Sequence, residues 1–426
     1  MSGPGDTPRL RALTTTETSD KARRTLPPRI AYALAAVVIG LGLFASVTPS
    51  PLYHTYSVLW GFSSLTLTLI FATYAFGVLA TLLLAGRVSD VVGRRPVLLV
   101  ALALLMGSTV LFIFAGSAVW LFFARGLQGL ATGAALSAAS AALLDLHPRR
   151  DPAGVALMNG VASTTGIGLG ILVSSSLVQL GSAPHVLPYV VLLVLFAIAF
   201  AGAYWMPEPV LERGRFRLTV ERPSVPAVVR RPFVLAGLAV LSSWSIGGLF
   251  FSLGPELSAD LFNSTNVITS GIGIVALAGS AALSQLLLGR TAPWIGASAG
   301  SIALAAGMIL IVIAAAANSG ATYLVGSVVG GIGFGVAFLG GLRALVAVIP
   351  DEQRAAVMSA FYIVAYASLS VPAVLAGIVV THLGLESTFE TFGSVVSAIA
   401  LIVAFEAWRT RPARDRHLQE ARGAET

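Results

Sequence analysis

Residues 86–95 decide how this chain folds, and they read Gly86-Arg87-Val88-Ser89-Asp90-Val91-Val92-Gly93-Arg94-Arg95. This charged segment joins two long apolar runs, 63–85 and 96–115, and each run can cross a bilayer core about 30 Å thick as a helix. Arginine is costly to move through hydrocarbon, so the segment stays at the cytoplasmic surface. Its glycines allow a tight turn, and Asp90 can cap a helix or pair with Arg94 four residues later. The segment therefore predicts a cytoplasmic turn between two membrane helices.

The composition of the whole chain is that of a membrane protein. Of its 426 residues, 56% are hydrophobic and 11% are charged, whereas soluble domains carry roughly 25% charged residues. Twelve apolar stretches are long enough to span a bilayer, which predicts an all-α integral membrane fold. The predicted limits of these twelve spans are 30–50, 63–85, 96–115, 118–143, 154–180, 186–206, 232–254, 267–288, 299–317, 321–346, 355–381 and 388–407.

The basic residues test this arrangement of spans. With both termini in the cytoplasm, all but one of the 26 lysine and arginine residues fall in segments or helix ends on the cytoplasmic side. The exception is Arg125, which lies inside span 4. The positive-inside rule therefore supports twelve spans, and the net charge of +7 is a topology signal rather than a nucleic-acid surface. We expect no cleavable signal peptide, because residues 1–29 lack an apolar stretch.

The chain divides into two similar halves. Residues 207–231 form the longest polar interruption between spans and are predicted to be a cytoplasmic linker. Each flanking region, 30–206 and 232–407, holds six spans, which predicts two pseudo-symmetric six-helix bundles. Residues 1–29 are predicted to be a disordered cytoplasmic tail, and 408–426 a second cytoplasmic tail. Three small residues of the first half recur 202 positions later in the second: Gly129, Gly133 and Ala135 as Gly331, Gly335 and Ala337.

Two motifs resemble those of the major facilitator superfamily. The pattern G-x-x-x-D-x-x-G-R-R of residues 86–95 is similar to the family's loop 2–3 signature, and Arg125-Gly126-Leu127-Gln128-Gly129 resembles its span-4 R-x-x-Q-G motif. The resemblance covers roughly residues 30–407. It implies a secondary active transporter whose two bundles rock about a central cavity. It also implies a monomeric, multi-pass protein of the bacterial inner membrane, with a small-molecule substrate, protons and the lipid bilayer as its partners.

The resemblance assigns a gating role to the charged turn. In the family, the loop aspartate, the following arginine and an acid at the inner end of span 4 form a charge-linked latch that closes the inner gate. The aspartate also faces the positive N-terminal end of span 11, which here begins near residue 355. A solvated turn with ordinary helix caps is the alternative. The residues predicted to form the gating motif are Gly86, Asp90, Gly93, Arg94, Arg95 and Asp145.

Arg125 is the strongest single candidate for a role in transport. An arginine inside hydrocarbon costs at least about 2.5–3.5 kcal/mol, so its side chain should face the bundle interior or water. Gln128, Gly129 and Thr132 follow it at helical spacing and extend one polar stripe. In proton-coupled members of the family this arginine is implicated in proton coupling. The alternative is a structural arginine that binds backbone carbonyls or snorkels outward.

Further polar side chains are candidates for the transport pathway or for proton binding. Each is explained equally well by interfacial anchoring or interhelical hydrogen bonding, but together they favour a lipophilic substrate with few polar groups. Span 1 has no carboxylate, so the candidate proton sites are Glu256, at the outer end of span 7, and His54, near the outer mouth. Besides Arg125, the predicted pathway residues are Gln128, Tyr53, Tyr74, Asn159, Trp244, Tyr362 and Tyr366.

These patterns predict proton-coupled efflux of small lipophilic compounds by alternating access. Span 5 carries Gly160, Gly166, Gly168 and Gly170 but lacks the proline of the antiporter pattern Gly-Pro-x-x-Gly-Gly, which favours a plain packing role for these glycines. The alternative function is therefore an uptake symporter for a small organic anion or metabolite drawn to Arg125. Clustered intramembrane His, Asp, Glu or Cys are missing from the sequence, so we predict no enzyme activity, no metal and no cofactor. No P-loop pattern is present, which disfavours direct use of ATP.

Overall fold

The structure is a computed structural model that describes residues 25–85, 88–210, 223–350 and 353–411. Across these ranges the chain is helical and contains no β-strand. Gly86 of the charged turn lies outside the described residues, as do most of the two predicted tails and the middle of the predicted linker.

Thirteen helices follow one another in the described ranges, and eleven helical stretches are long and apolar enough to cross a membrane. The last of these contains Gly384, whose φ of 82° is not helical, so this stretch comprises the two predicted spans 11 and 12. The all-α membrane fold with twelve spans is therefore confirmed. The helices are α1 (Pro28–Val47), α2 (Tyr53–Trp60), α3 (Ser64–Ala85), α4 (Val88–Val92), α5 (Arg94–Ile113), α6 (Ala118–Leu146), α7 (Pro152–Leu180), α8 (Leu187–Tyr204), α9 (Arg230–Leu261), α10 (Val267–Leu288), α11 (Pro293–Ala316), α12 (Gly320–Val346) and α13 (Arg354–Arg409).

Two helix pairs join the first half, α1–α8, to the second half, α9–α13. We call the side that carries α4 the inner side and the side that carries α2 the outer side. Helix α7 packs against α10, and α3 packs against α13. At the outer end of the first pair, the backbone N–H of Val267 donates to Gln179 Oε1 at 2.8 Å. Midway along α7, the Thr164 hydroxyl lies 3.3 Å from Gln285 Oε1, so polar contacts join this pair at its outer end and near the middle of α7.

The glycines of span 5 allow α7 to approach α1 closely. A Cβ atom at Gly166 would collide with the carbonyl oxygen of Gly40, and one at Gly170 would lie 2.7 Å from the carbonyl oxygen of Phe44. Small residues at such crossings let two membrane helices make dense van der Waals contact. The structure thus gives these two glycines a packing role.

Proline accounts for a difference between the predicted and observed start of span 9. The hydropathy pattern places this start at 299, but α11 already begins at Pro293. Proline suits the first position of a helix, because its fixed φ is helical and the N–H it lacks would have no intrahelical partner there. The polar and small residues that follow therefore belong to the helix.

A second proline lies inside α9, which the sequence predicts to end at 254 but which continues through Pro255 to Leu261. Proline has no N–H, so the carbonyl of Phe251, four residues earlier, loses its helical partner. The Ser50 hydroxyl of the first half donates to this carbonyl oxygen at 3.0 Å. A buried carbonyl is thereby satisfied across the boundary between the halves, near the outer side.

Candidate functional site

Arg94 connects two acidic side chains on the inner side. Its Nε donates to Asp145 Oδ2 at 3.0 Å, and its Nη1 donates to Ser89 Oγ at 2.8 Å and to the carboxylate of Asp90. The Arg94 side chain is only 11% exposed, whereas that of Asp90 is 50% exposed. We call Asp90, Arg94 and Asp145 the inner latch. The guanidinium fork suits this geometry because it can serve acceptors from two helices at once.

The backbone conformation of Gly93 sets the direction in which α5 begins, next to the inner latch. Its φ of 114° and ψ of 150° lie in a region that essentially only glycine adopts. A Cβ atom there would lie 2.5 Å from Oε2 of Glu208, so space also requires glycine at this position. The sequence predicted Gly93 as a turn residue, and the structure adds that a side chain from beyond α8 occupies the space beside it.

Glu208 was missed by the sequence analysis. Its Oε1 accepts from the backbone N–H of Arg94 at 2.9 Å, and its Oε2 accepts from that of Arg95 at 3.0 Å. The residue stands between two prolines at the start of the predicted linker, and no local pattern links it to a turn so far back in the chain. The one sequence signal for Glu208 is that an acidic residue directly follows span 6, on the predicted cytoplasmic side where the arginines lie.

The side chain of Arg95 has a different neighbour from that of Arg94. Its guanidinium lies over the ring of Tyr204, at the end of α8, 5.2 Å from the ring centroid. This cation–π contact joins α5 to α8. The structure thus brings Arg94 to the acids of the predicted gating motif and Arg95 to an aromatic ring.

Arg125 is fully buried within the first half. Its Nη1 donates to the Ser46 carbonyl oxygen and to Gln128 Oε1, both at 2.7 Å. Its Nε donates to the Tyr53 hydroxyl at 2.7 Å, and Nη2 donates to the same oxygen. Gln128 is in turn fixed by the Ala45 carbonyl oxygen, to which its Nε2 donates at 3.0 Å.

Aromatic ring faces also surround the Arg125 guanidinium. Its Cζ lies 5.4 Å from the Tyr74 ring centroid, 5.5 Å from that of Tyr53 and 6.0 Å from that of Phe112. Ring faces carry partial negative charge and attract cations, more strongly where water is excluded. The hydrogen-bond acceptors and rings around Arg125 are all neutral, so dipoles and quadrupoles stabilise this buried charge.

A cavity of about 880 Å³ opens on the outer side between the two halves, and we call it the outer vestibule. Among the described residues its charged lining side chains are acidic, and neither lysine nor arginine lines it. Both candidate proton sites, His54 and Glu256, line it. Tyr53 lines it as well, so a single side chain separates the vestibule from Arg125. The acidic lining residues are Glu256, Asp260 and Glu386.

Four predicted pathway residues form an aromatic cluster where the halves meet, namely Tyr74, Trp244, Tyr362 and Tyr366. The Trp244 and Tyr366 rings are nearly perpendicular, with centroids 5.2 Å apart. Phe338 joins the cluster at 5.5 Å from Trp244, and nothing in the sequence distinguishes it from other apolar span residues. Asn159 lies apart, since its Oδ1 accepts a hydrogen bond from the Ser140 hydroxyl at 3.0 Å.

The described residues offer no group of three or more His, Cys, Asp or Glu that could hold a metal ion. The chemistry of the site therefore lies in the charged latch, the buried arginine, the aromatic cluster and the acidic vestibule. The aromatic cluster and the vestibule lie between the two halves, whereas the latch and Arg125 lie within the first half.

Comparison with known proteins identifies related sequences and folds. The family model described as Major Facilitator Superfamily matches residues 30–317. Proteins named multidrug resistance protein MdtL, from Escherichia coli K12 and from Escherichia fergusonii, are 28% identical over 175 residues. Each match covers 40% of this chain and 40% of the relative's length. The crystal structure of the human organic anion transporter MFSD10 (TETRAN) superposes with a TM-score of 0.65 at 18% identity, covering 90% of this chain and 100% of that one.

Proposed function

Because this chain belongs to the major facilitator superfamily, we propose that it is a secondary active transporter that exports small lipophilic cations in exchange for protons. Residues 30–206 and 232–407 are the two bundles, and they alternate access to a site between them. The protein acts as a monomer in a bacterial inner membrane, with both termini in the cytoplasm. The observation that carries this proposal is the outer vestibule between the halves, whose charged lining residues are acidic.

The charge of the outer vestibule supports a cationic substrate. Carboxylates grouped in a cleft without basic neighbours raise the local concentration of cations and repel anions. Aromatic faces such as those of Trp244 and Tyr366 bind lipophilic cations by combining apolar contact with cation–π attraction. The similarity to proteins named multidrug resistance protein agrees with export of drug-like compounds.

The buried state of Arg125 disfavours the alternative, uptake of an organic anion. That function needs a cationic group free to contact the substrate, but the Arg125 donors are directed at Tyr53, Gln128 and the Ser46 carbonyl. An anion would have to displace these partners and would first cross an acidic vestibule. Arg125 instead acts through Tyr53, which is one of the residues that line the vestibule.

Proton exchange takes place in the vestibule. When Glu256 is ionised, it attracts a cationic substrate, and when it is protonated the local negative charge falls by one. A proton that enters from outside therefore lowers the affinity for the cation that is being exported. An antiporter requires this order, in which proton binding releases the substrate. His54 lines the same cavity and is the second candidate for this proton.

The first test is substrate accumulation in everted membrane vesicles from an efflux-deficient host. When a proton gradient with an acidic vesicle interior is imposed, vesicles that contain this protein are expected to accumulate lipophilic cationic dyes. An uncoupler should abolish the accumulation. The host should tolerate the same compounds better when it expresses the protein. Accumulation that survives the uncoupler would contradict secondary transport, and uptake of organic anions by intact cells would favour the symporter.

The second test separates the two proton candidates by the pH profile of transport. Glu256→Gln is expected to flatten the profile and to lower coupled transport by about tenfold or more, because ionisable groups along membrane pathways carry proton relays. His54→Ala should keep the wild-type profile, since its ring is exposed at the mouth. Glu390→Gln, which removes a carboxylate outside the vestibule lining, is the matched control. A wild-type profile in Glu256→Gln would exclude this residue as the proton site.

A further inference from the structure

Glu208 lies where the first half ends and the linker begins, yet its carboxylate reaches back to the charged turn. Its two oxygens accept from the backbone N–H groups of Arg94 and Arg95, and Oε1 also accepts from the N–H of Val210 at 3.1 Å. The side chain is half-buried between these partners. None of the three bonds involves the Arg94 guanidinium, so the contact is separate from the inner latch.

The first turn of α5 needs such a partner. The first N–H groups of a helix have no intrahelical acceptor, and the positive end of the helix dipole favours a negative charge beside them. Gly93, which precedes α5, contributes no side-chain cap. Glu208 therefore supplies from another part of the chain the cap that the local sequence lacks.

The position of this cap controls where the Arg94 side chain emerges. Arg94 is the first residue of α5, so the bonds that fix its backbone N–H also fix the base of its side chain. Gly93 provides the backbone conformation, and the Glu208 carboxylate fills the space that a Cβ would need. A shift of this turn by about 1 Å would separate the guanidinium from Asp90 or Asp145, because hydrogen bonds weaken steeply outside their normal distance range.

The same residue connects the turn to the segment that leads into the second half. Tyr204, at the end of α8, lies under the Arg95 guanidinium, and the Trp205 carbonyl oxygen accepts from the N–H of Leu26, before α1, at 2.8 Å. The start of the linker is thus held on the inner side by contacts to α5 and to the segment preceding α1. Glu208 is the acidic member of these contacts.

We propose that Glu208 is a positioning residue of the inner latch, a third carboxylate that fixes the first turn of α5 so that Arg94 bridges Asp90 and Asp145. The inference rests on the proposed alternating-access function, in which the latch keeps the inner side closed. Loss of the carboxylate loosens the turn and shifts the population toward the inward-open state. The gate thereby depends on a residue outside the charged turn and outside span 4.

The test exploits the absence of cysteine from the sequence, which allows one introduced thiol to be labelled without background. The labelling rate of the thiol in Thr265→Cys reports how accessible the outer vestibule is. The labelling rate in Ser140→Cys reports how accessible the inner half of α6 is. In Glu208→Gln, labelling in the vestibule should slow and labelling on the inner side should accelerate. The ratio of the two labelling rates should change by about tenfold, as expected for loss of a charge-assisted hydrogen bond. Glu208→Asp keeps the charge but is one methylene shorter, and should give a smaller shift.

Two controls distinguish positioning from plain stabilisation. Glu406→Gln removes an acid that pairs with Arg231 and Arg409 near the inner side, at 3.5 and 3.6 Å, and should leave the labelling ratio unchanged. The double variant Asp90→Asn/Glu208→Gln should shift the ratio no further than the stronger single variant, because both act through Arg94. Additive shifts would show that Glu208 acts independently of the latch and would overturn the inference.

The labelling readout needs no substrate, so the inference and the proposed function fail separately. A lower melting temperature in both Glu208 variants with an unchanged labelling ratio would overturn the positioning role. A changed ratio in a protein that moves no tested compound would support the positioning role and count against the export function.

Discussion

Replacement of Arg125 by methionine is expected to lower transport by about a hundredfold or more while the protein remains folded, as befits an ionisable residue that a membrane span retains for function. Methionine fills a similar volume, and exchanging a buried charged group for an apolar one is often neutral or stabilising. The exchange leaves the Tyr53 hydroxyl, Gln128 and the Ser46 carbonyl without their donor, at about 1–3 kcal/mol for each group that finds no other partner. The methionine variant no longer has the desolvation cost of a buried guanidinium, and this gain in stability offsets the loss.

The measurement pairs thermal unfolding in detergent with accumulation in vesicles. Transport by Arg125→Lys is expected to lie between that of Arg125→Met and that of the wild type. An ammonium group keeps the charge but cannot reproduce the planar guanidinium that donates to Tyr53 and Gln128 together. Arg409→Met, at an exposed site, is the matched control for loss of an arginine. Wild-type transport by a folded Arg125→Met protein would show that this buried charge is purely structural.

Replacement of Asp90 by asparagine is expected to reduce transport by about tenfold or more at normal membrane expression, since the charge-assisted bond to Arg94 is lost. The melting temperature should change little, because a half-exposed ion pair contributes only about 0.2–1 kcal/mol to stability. The variant therefore separates gating from folding. Asp145→Asn should disturb both, since the Asp145 side chain is less exposed, at 27%, than that of Asp90.

The control for Asp90→Asn is the same exchange at Asp151. Asp151 also lies on the inner side, but it caps α7, where it accepts from the N–H groups of Ala153 and Gly154. Asparagine caps helices nearly as well as aspartate, so Asp151→Asn should preserve both stability and transport. Unchanged transport in Asp90→Asn would contradict the latch and leave the charged turn as a topology signal alone.

The sequence predicts features of this protein that are local or that depend on the bilayer. Charge segregation and span length determine the twelve-span fold, because the membrane restricts where arginine and long apolar runs can lie. Asp90 and Arg94 are four residues apart, so their pairing follows from spacing alone. Asp145, much further along the chain, was predicted only through the family resemblance.

Contacts that depend on backbone groups or on distant side chains were not predictable. Arg125 binds the Ser46 carbonyl, and any residue type supplies a carbonyl, so no sequence pattern marks this partner. Glu208 reaches its partners because α8 returns to the inner side beside α5, which is a tertiary fact. Phe338 joins the aromatic cluster from a span in which most residues are apolar, so nothing marks it out. The start of α11 was misplaced because hydropathy averages over a window, whereas a helix begins where Pro293 permits it.

The proline inside α9 has a consequence for the energetic balance between the two faces of the transporter. The Phe251 carbonyl that it frees accepts from Ser50 through one neutral hydrogen bond between the halves. Such a bond contributes about 0.5–1.5 kcal/mol, within reach of thermal fluctuation, whereas the Arg94 bonds carry full charges. The outer ends of the halves are thus joined by single neutral bonds, here and between Val267 and Gln179, so a small movement of one half against the other can break and re-form them.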